Sequence, residues 1–192
     1  MGTGGIITLV ILGLVVVGLG SFLISGYNRL VELRNRVRNS WSQIDVQLKR
    51  RYDMIPNLVE TVKGYAKHEE SIYGAFAKAR DMYNHASETN DIKGVVEAEQ
   101  GFSAALGRLL AVKEAYPALM ANENFKSLMK ELADTEDKIS YARQFYNDTA
   151  MKMNNEVEKF PSNIVASLFG FQAATYFEVS AKAERENVKV QF

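Results

Sequence analysis

The chain has 192 residues, 23 of them basic and 23 acidic, with 47% hydrophobic residues, two histidines and no cysteine. That length suits one ordinary domain, and the balanced charge gives no global positive field to gather a phosphate backbone, so nucleic acid is not an expected partner. Without cysteine there is no disulfide framework, thiolate nucleophile or thiolate metal site, and two histidines leave little for a triad, so no catalytic residue, metal or cofactor is expected.

No charged side chain occurs in residues 1–28, and residues 6–24 form an almost unbroken apolar run. At 1.5 Å per residue the run spans about 28 Å, close to the ~30 Å hydrocarbon core of a bilayer. A single transmembrane helix over 6–26 is expected, after a short extracytoplasmic stretch at 1–5. A cleaved secretory signal would carry a basic amino-terminal region and a small-residue cleavage motif. Residues 1–5 have no basic side chain and no A-x-A site precedes Tyr27, so an uncleaved anchor is expected. Arg29, Arg34, Arg36 and Arg38 follow at once, then Lys49, Arg50 and Arg51. Basic residues flanking a span stay on the cytoplasmic side, which places the amino terminus outside and the remainder in the cytoplasm, at the inner membrane. The same basic collar suits anionic lipid headgroups. Gly13, Gly18 and Gly20 permit close helix approach in the span, but no strict GxxxG occurs.

Beyond Tyr27, Leu30, Leu33, Val37, Trp41, Ile44, Leu48, Tyr52, Ile55, Val59, Val62 and Ala66 recur at steps of three and four. Their mean of about 3.67 residues defines one face of a long, nearly straight helix over 27–65. Pro56 lies within it and predicts a kink near 53–57. A second helix, 69–87, carries Ile72, Ala75/Phe76, Ala79, Met82/Tyr83 and Ala86. Asn90 or Asp91 caps a third, 91–116, which stops before Pro117. Asn122 or Asn124 caps a fourth, 122–159, with the stripe Phe125, Leu128/Met129, Leu132, Ile139, Ala142, Phe145/Tyr146, Ala150, Met153 and Val157. The expected fold is all-α: the transmembrane helix, then an elongated antiparallel four-helix bundle over 27–159 whose last helix is long enough to return to the bilayer.

A C-terminal amphipathic segment, 160–180, follows. Phe160, Ile164, Val165, Leu168, Phe169 and Phe171 are apolar there, with no charge between Lys159 and Glu178. It is too short to span a membrane. Either it folds back over its own bundle, or it contacts lipid or another subunit; the second is favoured, because four helical seams already satisfy one another. In the tail, 181–192, the alternation of Val188, Val190 and Phe192 suits an edge strand, although an untethered end is the commoner outcome.

Several polar residues have ordinary structural explanations. His68, Glu69 and Glu70 with the distant His85 lack metal-binding spacings. Trp41 sits on the inner stripe, with Arg34 and Arg38 near enough to stack on it. Asp45 and Lys49 form a routine i,i+4 pair, and Asn28, Asn57 and Asn147 suit hydrogen bonds between helices.

The run from Trp41 to Arg51, followed by Ile55-Pro56-Asn57-Leu58-Val59, Val62-Lys63-Gly64-Tyr65 and His68-Glu69, resembles the hallmark block of the LemA family. Tyr141-Ala142-Arg143, Tyr146-Asn147, Phe160-Pro161 and Phe169-Gly170-Phe171 are similar to its other blocks. The resemblance implies a single-pass bacterial membrane protein with a helical-bundle domain and no established enzymatic activity, and a magnetosome-associated branch tied to membrane compartments. The expected function is a non-catalytic, membrane-anchored scaffold whose partners are the bilayer and other copies of itself. The alternative is an adaptor or chaperone-like regulator of a membrane protease or signalling protein, with a membrane protein as partner.

Overall fold

The computed structural model describes residues 2–65 and 70–178. His68 and Glu69, and the tail with Val188, Val190 and Phe192, lie outside the described residues. The protein is all-helical, and no strand occurs among the described residues. Among the described residues seven helices follow in order: α1 (Thr3–Asp53), α2 (Ile55–Lys63), α3 (Glu70–Glu88), α4 (Ile92–Lys113), α5 (Pro117–Ala121), α6 (Glu123–Glu158) and α7 (Ser162–Leu168).

Helix α1 is 51 residues long, about 76 Å at 1.5 Å per residue. The apolar run and the amphipathic stripe thus lie on one uninterrupted helix. Its apolar part, of mean hydropathy 2.7 and 0% buried, is long and apolar enough to cross a membrane. The chain leaves α1 for one residue only: Met54 keeps right-handed helical angles (φ −78°, ψ −18°) and Pro56 falls in the first turn of α2. There the missing proline N–H costs least. The Met54 N–H reaches the Arg51 carbonyl at 3.2 Å, and the Leu58 N–H reaches that of Met54 at 3.0 Å.

Short polar signals end and start the other helices. Asn90 adopts φ 53° after α3, where the Asn90 N–H bonds the Ser87 carbonyl (3.2 Å) and the Asp91 N–H that of Ala86 (2.8 Å). This pattern of backward bonds satisfies carbonyls that a helix end leaves open. Asp91 then accepts from the Lys93 N–H at 3.1 Å to begin α4. Asn122 caps α6, its Oδ1 accepting from the Phe125 N–H at 2.9 Å. Helix α5, set off by Pro117, had no periodic signal of its own.

Among the described residues the chain forms two compact units, residues 2–42 with 145–176 and residues 43–144 with 177–178. The second unit is built on α3 packed along α4. Its core includes Ile44, Leu48, Tyr52, Phe76, Tyr83, Phe102, Leu109 and Ile139, each no more than 3% exposed. Tyr52 stacks on Tyr83 (centroids 4.3 Å apart, 11° between planes) and meets Phe102 edge-on at 5.5 Å.

That core also holds a cation. Arg51 is 1% exposed, paired with the buried Glu99 and the half-exposed Glu136, and its guanidinium lies 4.2 Å from the Phe102 centroid. Glu99 further accepts from the Tyr52 hydroxyl at 3.0 Å. Burial, then the Glu99 carboxylate, holds the Tyr52 phenol well above the ordinary tyrosine range. Asp45, expected to pair with Lys49, instead accepts from the Tyr83 and Ser87 hydroxyls at 2.9 Å each. An inward contact with α3 replaces a solvent-facing i,i+4 pair because two neutral donors converge on Asp45 from the packed side. The cavity beside Arg51 measures about 10 Å³, too small to admit a substrate.

Candidate membrane interface

The first unit contains the end of the apolar run of α1, the end of α6, and α7. Helix α7 forms because Pro161, Ser162 and Asn163 turn the chain: the Asn163 N–H bonds the Lys159 carbonyl at 2.8 Å and the Ser162 hydroxyl donates to the same carbonyl at 2.9 Å. The Phe160–Pro161 peptide bond is cis. At its other end Gly170, with φ 70°, reverses the backbone. The Gly170 N–H reaches the Ser167 carbonyl at 3.4 Å and the Phe171 N–H that of Ala166 at 2.9 Å. A residue with a Cβ is strained at such a φ, which is why glycine occupies this helix end.

One side of α7 is internal. Val165 (0% exposed) and Ala166 (1%) form a core with Leu30 and Met153, flanked by Leu23, Leu33, Val37, Val157 and Phe171. The approach to α1 is close at Gly26, where an added Cβ would lie 3.1 Å from a Val165 methyl. Of the residues expected to touch lipid or a partner, Val165 is therefore withdrawn into its own unit, since contact with an outside surface requires exposed area. Phe171 is half-buried for the same reason, lying beneath the Arg34 guanidinium at 5.2 Å and edge-on to Tyr27 at 5.7 Å.

The other side faces outward. Phe160 is 80% exposed, Leu168 65%, Ile164 53% and Phe169 49%. Ile164 and Leu168 are four residues apart within α7 and hence on one helical face, while Phe160 lies in the turn before the helix. Phe169 also packs edge-on against Tyr27, 4.9 Å between centroids. The segment 160–171 thus both covers its own core and presents a separate apolar face.

A strap after α7 is pinned along α6. The Asn154 amide donates to the Ala174 carbonyl at 3.0 Å and accepts from the Ala174 N–H at 2.7 Å, while the Tyr146 hydroxyl donates to the Thr175 carbonyl at 2.7 Å. Burial raises the Tyr146 phenol pKa. Sequence reading selected Asn28, Asn57 and Asn147 for such work and passed over Asn154. Its position one residue beyond Met153 on the stripe was the available signal.

The four juxtamembrane arginines have distinct surroundings. Arg29 pairs with Glu156 at 2.6 Å and Arg36 with Glu32 at 2.6 Å. Arg34 lies on Phe171 rather than on Trp41, and with Arg38 it lines a cavity of about 310 Å³ floored by Val37 and Met153. Trp41 instead meets Tyr146 edge-on at 5.7 Å. Among the described residues no three histidine, aspartate or glutamate side chains gather to hold a metal ion.

The LemA family profile matches residues 40–192, a stretch that includes α7 and begins after the apolar run. The chain is 29% identical to magnetosome protein MamQ 2 of Paramagnetospirillum magneticum, over 93% of this chain and 74% of that protein. It is 28% identical to magnetosome protein MamQ of Magnetospirillum gryphiswaldense, over 81% of this chain and 65% of that protein. Protein LemA of Metamycoplasma hominis is 25% identical, over 84% of this chain and 72% of its own length.

Proposed function

The chain belongs to the LemA family, and from that premise we propose that it is a non-catalytic scaffold anchored in the cytoplasmic membrane by α1, which self-associates and organises the membrane or the proteins within it. In this reading the amino terminus is outside, the chain beyond the span is cytoplasmic, and α1 beyond residue 26 with α2, α3, α4 and α6 supply the rods of an antiparallel four-helix bundle. The observation that carries it is the level of the outward face of α7. Val165 sits against Gly26, two residues past Ile24, or about 3 Å along the helix axis. An apolar face at that height lies in the boundary between acyl chains and headgroups, where amphipathic helices bury about 5–10 Å deep. Tyr27, an amphipathic ring at the same height, suits an interfacial aromatic belt. Similarity to proteins named for the magnetosome supports a place at a membrane.

The test uses the full chain in native-lipid discs. Because the sequence lacks cysteine, Leu168→Cys provides a unique site for an environment-sensitive fluorophore, which should report an apolar surrounding and be quenched by lipids brominated near the headgroup. Deletion of residues 160–171 should also reduce the particle to single copies. A water-like emission together with unchanged particle size would reject the proposal.

A further inference from the structure

The height of α7 bears on an open cleft in the same unit, of about 460 Å³, lined by Arg29, Glu32, Leu33, Arg36, Lys152, Asn155, Glu156 and Lys159. Two ladders supply its charge: Arg29 and Arg36 on α1, and Lys152 on α6 with Lys159 one residue past its end. Arg29 and Arg36, seven residues apart, share one helix face, about 10 Å from end to end, and the Lys159 N–H still bonds the Asn155 carbonyl at 2.9 Å, which keeps Lys159 in the last helical turn. Four cations face two carboxylates, leaving a net charge of +2. The carboxylates are already engaged, Glu156 by Arg29 and Glu32 by Arg36. The ammonium groups of Lys152 and Lys159 meet no carboxylate partner among the described residues, and both residues are exposed.

The cleft begins where the span ends. Arg29 lies five residues past Ile24, about 7.5 Å along the axis, and each headgroup layer is about 5–7 Å thick. Long side chains on a helix lean toward its amino terminus, which for Arg29 is toward the bilayer, and Lys159 follows the Arg29 partner Glu156 by three residues at the same end of the cleft. We propose that this cleft binds the phosphate of an anionic phospholipid headgroup, with Lys152 and Lys159 as the charges that meet it and the Asn155 amide as a further donor. The Arg29–Glu156 and Arg36–Glu32 pairs hold the walls and keep the net charge low, which favours one headgroup over a crowd of them. A volume of this size is in the range of small-molecule sites. The inference rests on α1 being the membrane anchor, and it gives the scaffold a lipid preference that the apolar face of α7 does not supply.

The experiment uses full-length protein in neutral detergent with α7 intact, so that a failed lipid assay leaves the particle-size test of self-association untouched. Native mass spectrometry would count retained phosphatidylglycerol against phosphatidylcholine, and thermal melting would follow added lipid, inorganic phosphate and glycerol 3-phosphate. Basic groups near an anionic surface contribute about fivefold each in affinity, so Lys152→Gln with Lys159→Gln should weaken phosphatidylglycerol binding about 25-fold. Lys152→Arg with Lys159→Arg should restore it, and Lys126→Gln with Lys130→Gln, on the other end of α6, should change nothing. Phosphatidylglycerol bound equally by the glutamine variant would overturn the proposal. Inorganic phosphate protecting the protein as well as the lipid does would overturn the lipid assignment and make the cleft a site for a soluble phosphate.

Discussion

Arg50 and Arg51 are neighbours with the same chemistry and opposite surroundings. Arg50 pairs with Glu131 at 2.7 Å, both side chains about half exposed. Arg51 is 1% exposed against a Glu99 that is 3% exposed. Replacing Arg50 by methionine removes a screened surface pair, a loss of about 0–1 kcal/mol. Replacing Arg51 by methionine leaves Glu99 buried without its cation, and losing one member of a buried pair costs about 3–5 kcal/mol. For a chain of this size each kcal/mol shifts Tm by roughly 2–4 °C, so Arg51→Met should melt about 6–20 °C below the parent and Arg50→Met within about 4 °C of it. The double variant Arg51→Met with Glu99→Met should recover part of the loss, because apolar side chains of similar volume replace buried ion pairs with little penalty, while the Tyr52 hydroxyl is left without its Glu99 acceptor. Glu136 needs no compensation, since its side chain is 46% exposed. Helical circular dichroism of the detergent-solubilised full chain reads all three. An Arg51→Met melt within about 2 °C of the parent, or a double variant worse than either single one, would refute the view of Arg51 as a desolvated charge held by Glu99.

Two further outcomes follow from the same geometry. The Tyr52 and Tyr83 phenols are held well above their ordinary range, first by burial and then by Glu99 and Asp45 respectively. Above the ordinary tyrosine value of about 10 the unfolded chain loses protons that the folded chain keeps, so stability is full below that pH and falls beyond it by about 1.4 kcal/mol per pH unit per tyrosine. Denaturant midpoints between neutral and strongly alkaline pH should show this fall, with a shallower slope in Tyr83→Phe; a flat profile would contradict it. Asn154→Ala removes both bonds to Ala174, so exchange of the Ala174 amide should rise about 10–100-fold, given about 1–3 kcal/mol for the lost pairing, while amides in α3 and α4 keep their rates.

What was legible in the sequence was local. Along the stripe stepped by three and four, Leu30, Ile44, Leu48, Tyr52, Ile55 and Val62 are buried and Leu33, Val37, Trp41 and Val59 half-buried, because a helix writes its inner face into its own spacing. Asn122 as a cap and the turn at Asn90 are likewise short-range statements. Arg51 was not legible: in the run Lys49-Arg50-Arg51 it reads as one more solvated charge, and its partners lie 48 and 85 residues away. Asp45 misled for the opposite reason, since a nearby Lys49 satisfied the local rule while Tyr83 and Ser87 took the contact from afar. Met54, not Pro56, is the residue outside helix, because proline is tolerated in a first turn and the interruption moves ahead of it.

Helix α7 exposes a different limit. Its apolar residues fall on both sides, so no periodicity distinguishes the face that covers Leu30 and Met153 from the face that looks outward. Two glycines decide it. Gly26 lets α1 accept the methyls of Val165 at close range, which turns Ile164 and Leu168 away, and Gly170 sends the chain back so that Phe171 rather than Phe169 is the more covered ring. The first unit then carries an outward apolar face on α7 and a cleft of cations on α1 and α6, both starting within a few residues of Ile24. A bilayer edge has the same order of layers, acyl chain and then phosphate. In a chain whose charges cancel overall, that local order is the ground on which the proposed lipid contact of this end of the molecule stands.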